Sequence, residues 1–81
     1  MYNYKTKGVC STNISFNIED GKVKDVNFTR GCEGNLQGLS VLVDGMDVQE
    51  AINRLQGINC GRKGTSCPDQ LSKALKEVIG A

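Results

Sequence analysis

Asp20-Gly21, set between two runs rich in alternating apolar residues, constrains this chain more than any other feature. An Asp-Gly pair accepts the positive φ angles of a two-residue hairpin turn, and flanking alternation is the short-range signature of a hairpin. Upstream, Asn13 to Glu19 alternates cleanly, with Ile14, Phe16 and Ile18 on one face and Ser15, Asn17 and Glu19 on the other. That pattern predicts a half-buried strand. Downstream, Lys22 to Thr29 carries Val23, Val26 and Phe28, which break period two once. A bulge near Lys24-Asp25 reconciles them. Tyr2 to Lys7 alternates weakly and reads as an edge strand.

After Thr29 the apolar period changes from two to 3.6. Gly31 and Gly34 flank Cys32 at a sharp strand-to-helix turn, Asn35 is the expected N-cap, and Leu36, Leu39, Leu42 and Val43 form an apolar helical face ending at Gly45. Asp47-x-x-Glu50 resembles a capping box and opens a second helix with the stripe Val48, Ala51, Ile52 and Leu55, closed by Gly57. Residues 58–66 read as a loop. A third helix is expected to bury Leu71, Ala74, Leu75, Val78 and Ile79 before Gly80. Strands followed by helices predict an α+β domain: a short antiparallel sheet of about three strands, with three helices packed on one face. One domain over residues 1–81 is expected, with a modest core, since 38% of residues are hydrophobic and only four are Tyr or Phe.

Composition excludes several functions. A net charge of +1 without a basic block argues against nucleic acid or a membrane surface as partner. The longest apolar run, Val41-Leu42-Val43, is far too short to span a bilayer, and the N-terminus shows no apolar signal region. A cytosolic location follows as the expectation. The chain has no His, so a Ser-His-Asp or Cys-His catalytic centre cannot be built from it, and no catalytic residue is assigned. No glycine motif for phosphate or nucleotide binding is present.

Chemistry therefore falls to Cys10, Cys32, Cys60 and Cys67. Their spacing contains no C-x-x-C pair, so the signal lies in placement. Cys10 precedes one hairpin strand and Cys32 follows the other, which puts both at the same end of an antiparallel sheet. Cys60 lies in the loop. Cys67 stands between Ser66 and Pro68, where the S-x-x-D spacing to Asp69 and the proline mark a helix start. Free N–H groups and the helix dipole there favour a thiolate, and Arg62 and Lys63 carry positive charge close by in sequence. Four thiols without His suit zinc or an iron–sulfur cluster. A redox dithiol formed by Cys60 and Cys67, or ordinary buried cysteines, are the competing readings.

Thr65-Ser66-Cys67-Pro68-Asp69, continued by Gln70 and Leu71, resembles the TSCPD domain in its four-cysteine, stand-alone version. Such domains occur at the C-terminus of adenosylcobalamin-dependent ribonucleotide reductases and as short separate proteins. The resemblance implies a metal or thiol module accessory to ribonucleotide reduction, partnered by a reductase or by a cluster or redox protein. Whether it is an enzyme in its own right stays open, because the radical-generating domain has no counterpart here. The layout is also similar to U-type iron–sulfur cluster scaffolds. Cys10, Asp20-Gly21, Gly31-Cys32 and Cys67 follow the scaffold order, and Asp25-Val26-Asn27-Phe28 looks like its second hairpin strand. That likeness implies convergence of Cys10, Cys32 and Cys67, with Cys60 as a fourth ligand. Ser11 and Thr12 replace the scaffolds' acidic residue, Ser66 replaces their His, and Gly61-Arg62-Lys63-Gly64 replaces their chaperone-binding segment. A closed four-cysteine site holding zinc or a stable cluster fits these departures better than transient cluster hand-off. A cluster shared between two chains would make a homodimer.

Overall fold

A computed structural model of the chain describes residues 2–6, 12–29, 33–58 and 65–80. The elements run β1 (Tyr2–Lys5), β2 (Asn13–Glu19), β3 (Lys22–Thr29), α1 (Glu33–Val43), α2 (Val48–Leu55) and α3 (Cys67–Ile79). The strands form an antiparallel sheet in the order β1-β2-β3, followed by the three helices. This is the α+β arrangement that the period change in the sequence predicts.

Asp20 and Gly21 turn the β2–β3 hairpin with φ of 52° and 74°. Two positive φ angles are what a type I′ turn requires, and they match the right-handed twist of the strands. The expected bulge is present. Ser15 pairs with Asn27 but Asn17 pairs with Lys24, so Asp25 and Val26 together oppose Phe16. Asp25 carries the kink, at φ 54°, and its N–H donates to Asp44 Oδ1 at 3.1 Å. The extra residue returns Val26 to the face that buries Val23, Ile14 and Phe16. Without it, one of the two valines would point to solvent. β1 flanks the other side of β2, where the Tyr2 ring lies 5.6 Å from that of Phe16. The start of the outer edge of β3 is covered by the α1–α2 connection. Gly45 N–H donates to Val23 O (2.7 Å), Val23 N–H to Met46 O (2.9 Å) and Val48 N–H to Gly21 O (2.9 Å). Where it is paired in this way, the edge offers no free groups to another strand.

The helices close the core over one sheet face, joining Ile14, Phe16 and Val23 to Val43, Ile52 and Leu71 in one cluster. Three expectations need correction. α1 begins at Glu33, so Asn35 lies inside the helix and is not its cap. Within α1, Leu36 and Val43 are buried and Leu39 is partly so, but Leu42 is 74% exposed. At about 100° per residue, Val43 comes back to within about 20° of Leu36 around the helix, whereas Leu42 stands about 120° from it and so turns off the buried face. Ser40, half-buried on the side of Leu36 and Val43, returns its hydroxyl to Leu36 O at 2.8 Å. In α3, Leu71, Ala74 and Leu75 are buried, yet Ile79 is exposed because the last turn runs past the core to the αL cap at Gly80. α2 follows expectation. Asp47 accepts from the N–H groups of Gln49 and Glu50, and Ala51, Ile52 and Leu55 are buried. No helix among the described residues is long and apolar enough to cross a membrane.

Candidate functional site

The five-residue motif before α3 divides by burial. Thr65, Ser66 and Asp69 are buried, whereas Cys67 and Pro68 are only half-buried. The division follows from the geometry of a helix start. Ser66 is the N-cap, and its Oγ accepts the Asp69 N–H at 3.2 Å. Pro68 sits in the first turn, where no intrahelical N–H is lost. The S-x-x-D capping signal therefore marks the helix start correctly. The Asp69 carboxylate, however, is directed across the chain. Its Oδ1 accepts the Gly57 N–H at 2.7 Å, and its Oδ2 accepts the Thr65 hydroxyl at 2.6 Å. Gln70 Nε2 donates to Thr65 Oγ1 at 3.0 Å. The Ser66 hydroxyl donates to Ile58 O at 2.6 Å, and Lys76 Nζ donates to Gln56 Oε1 at 2.7 Å.

These bonds clip the end of α2 (Gln56, Gly57, Ile58) to the start of α3. Every buried side-chain polar atom among the described residues has a partner, as a buried polar network must to avoid a net cost. Burial alone would raise the Asp69 pKa. The Thr65 hydroxyl, the Gly57 N–H and the Lys73 ammonium outweigh that and hold it below the ordinary value of 3.8. Lys73 Nζ lies 3.5 Å from Asp69 Oδ2. Sequence reasoning saw Asp69 as a capping partner and missed Thr65, Gln70 and Ser72 as buried polar groups. Spacing along one helix carries no signal for contacts made to another.

Of the four candidate ligands, Cys67 is the first residue of α3, as expected. Cys10, Cys32 and Cys60 lie outside the described residues, as do Arg62 and Lys63. Among the described residues no three His, Cys, Asp or Glu side chains come together as a metal-ligand group. The chain positions bordering the other cysteines are described. At the sheet end, Thr12 N–H donates to Thr29 O at 2.8 Å, and Asn13 pairs with Thr29. Thr12 is two residues after Cys10, and Thr29 is three before Cys32. At the clip, Ile58 is two residues before Cys60, and Ser66 directly precedes Cys67.

No curated protein and no solved structure matches the chain. The model of one family matches residues 2–79, nearly its whole length. With the hydrogen-bonded Thr65, Ser66 and Asp69 bracketing Cys67 and Pro68 at the start of α3, the chain belongs to the TSCPD domain family.

Proposed function

We propose that this chain is a small metal-binding domain in which Cys10, Cys32, Cys60 and Cys67 hold zinc or an iron–sulfur cluster, and that it serves ribonucleotide reduction as an accessory module. The observation that supports this most is the pair of hydrogen-bonded stems. Thr12–Thr29 joins the positions leading to Cys10 and Cys32, and Ser66–Ile58 joins those leading to Cys67 and Cys60. Stems closed in advance reduce the loop entropy that ligand assembly must overcome. The donor set, four thiols in a chain without His, suits tetrahedral zinc or an iron–sulfur cluster. Bound zinc would add folding free energy, and a cluster would add electron transfer. The setting in ribonucleotide reduction rests on the occurrence of TSCPD domains in reductases, with a reductase or a cluster or redox protein as partner in the cytosol.

A second reading, a redox dithiol formed by Cys60 and Cys67, is favoured by the clip alone, since it joins only those two positions. Metal and acid-labile sulfide analysis, with an absorption spectrum, on protein purified without oxygen or chelator separates the two. A metal centre predicts about one zinc per chain, or brown protein with iron and sulfide. Cys→Ser at each of the four positions then lowers both metal content and stability. Metal-free folded protein with reduced thiols, sensitive only to Cys60→Ser and Cys67→Ser, would overturn it in favour of the dithiol.

A further inference from the structure

We infer that the groove between α1 and the β3 bulge docks a short segment of a partner protein carrying Lys or Arg beside an apolar residue. The groove encloses about 320 Å³, is open to solvent, and is lined by Asp25, Val26, Gln37, Ser40, Val41 and Asp44. Val26, only 5% exposed, is its apolar floor, and Val41, 69% exposed, is its lip. Leu42, next to Val41, is 74% exposed, so the last turn of α1 shows water two adjacent large apolar side chains.

The charge around this apolar strip specifies the occupant. Asp25 and Asp44 both line the groove, and the Asp25 backbone N–H donates to Asp44 Oδ1 at the bulge. Asn17 Nδ2 reaches Asp25 Oδ2 only at 3.5 Å. The ion pairs among the described residues are Arg54–Glu50 and Lys73–Asp69, and neither includes these aspartates. α1 contains no Lys or Arg. Lys24 Nζ lies beside Gly45, the neighbour of Asp44, so one ammonium stands near the two carboxylates that line the groove. A second copy of this chain is a poor occupant. An isologous contact would set each patch against itself, acid against acid. A basic, apolar segment satisfies both the strip and the carboxylates.

This inference is independent of the cysteines and is tested apart from them. The probes are the synthetic peptide acetyl-Leu-Lys-Val-Arg-Leu-amide and its counterpart with Glu at both basic positions, titrated into ¹⁵N-labelled protein. The basic peptide should give saturable amide shifts at Asp25, Ser40, Val41 and Asp44, and the acidic one should give none. The double variant D25N/D44N keeps the Asp44 acceptor oxygen and a residue tolerant of positive φ, so it folds. It should bind about fivefold more weakly, the loss expected for two exposed ion pairs. V41S should weaken binding without altering the salt dependence. Equal binding of both peptides, no shifts with either, or full affinity in D25N/D44N would overturn the inference. So would concentration-dependent shifts on α1 in the absence of peptide, which would mark self-association.

Discussion

Asp69 Oδ1 accepts the backbone N–H of Gly57 at 2.7 Å, twelve residues upstream. One carboxylate in the first turn of α3 therefore fixes where α2 ends. The same group takes the Thr65 hydroxyl on its other oxygen, so the family motif works here as a fastener around Cys67.

Removing that carboxylate should be among the most damaging polar changes in the chain. Asp69→Ala leaves the buried Thr65 hydroxyl without its acceptor and strips the Gly57 N–H of its partner. The expected loss is about 3 kcal/mol, read as a fall in Tm of roughly 15 °C for a domain of this size. Asp69→Asn keeps one acceptor oxygen and should lose less. Thermal unfolding of both variants measures the difference, and an unchanged Asp69→Ala would refute the clip.

The same residue gives stability a pH dependence of defined sign. Its folded pKa lies below the ordinary value of 3.8, so the unfolded chain takes up the proton first as pH falls. Stability from Asp69 is complete well above 3.8 and is lost as pH drops through the folded pKa. Denaturant unfolding from pH 6 to pH 2 should show this loss. The profile of Asp69→Asn should be flatter over the acid limb.

Ser66 does two jobs, capping α3 and holding Ile58. Ser66→Ala should cost about 1–2 kcal/mol as a lost cap. If the four cysteines hold a metal as proposed, loosening the stem leading to Cys60 and Cys67 should also lower the metal bound, with all four thiols still present. A double-mutant cycle with Asp69→Ala should give a non-additive coupling, since both side chains belong to one network.

Adjacent residues on α1 should respond in opposite ways. Val43 is buried, so Val43→Ala should cost about 2 kcal/mol. Leu42 is exposed, so Leu42→Lys should change stability by less than about 0.5 kcal/mol. Urea midpoints of the two variants check the helical register directly.

Much of the fold could be read from local chemistry, because its signals act over a few residues. Asp20-Gly21 specifies a turn through the φ angles it tolerates. The broken alternation of Val23, Val26 and Phe28 specifies a bulge, since only an extra residue returns Val26 inward. Asp47 and Ser66 specify helix starts through their side-chain oxygens. Local chemistry could not rank the competing apolar residues of α1, where Leu42 and Val43 are equally hydrophobic. Packing against β3 chose Val43 and left Val41 and Leu42 in water. Nor could it show that Asp69 reaches Gly57 and Thr65, because no periodicity encodes a bond between the end of one helix and the start of another. Local chemistry along the chain settled the element order and the turns, and the chain contains four thiols and no His. Which polar residues are buried together, and which apolar ones are left exposed, came from packing, since both depend on where separate elements meet.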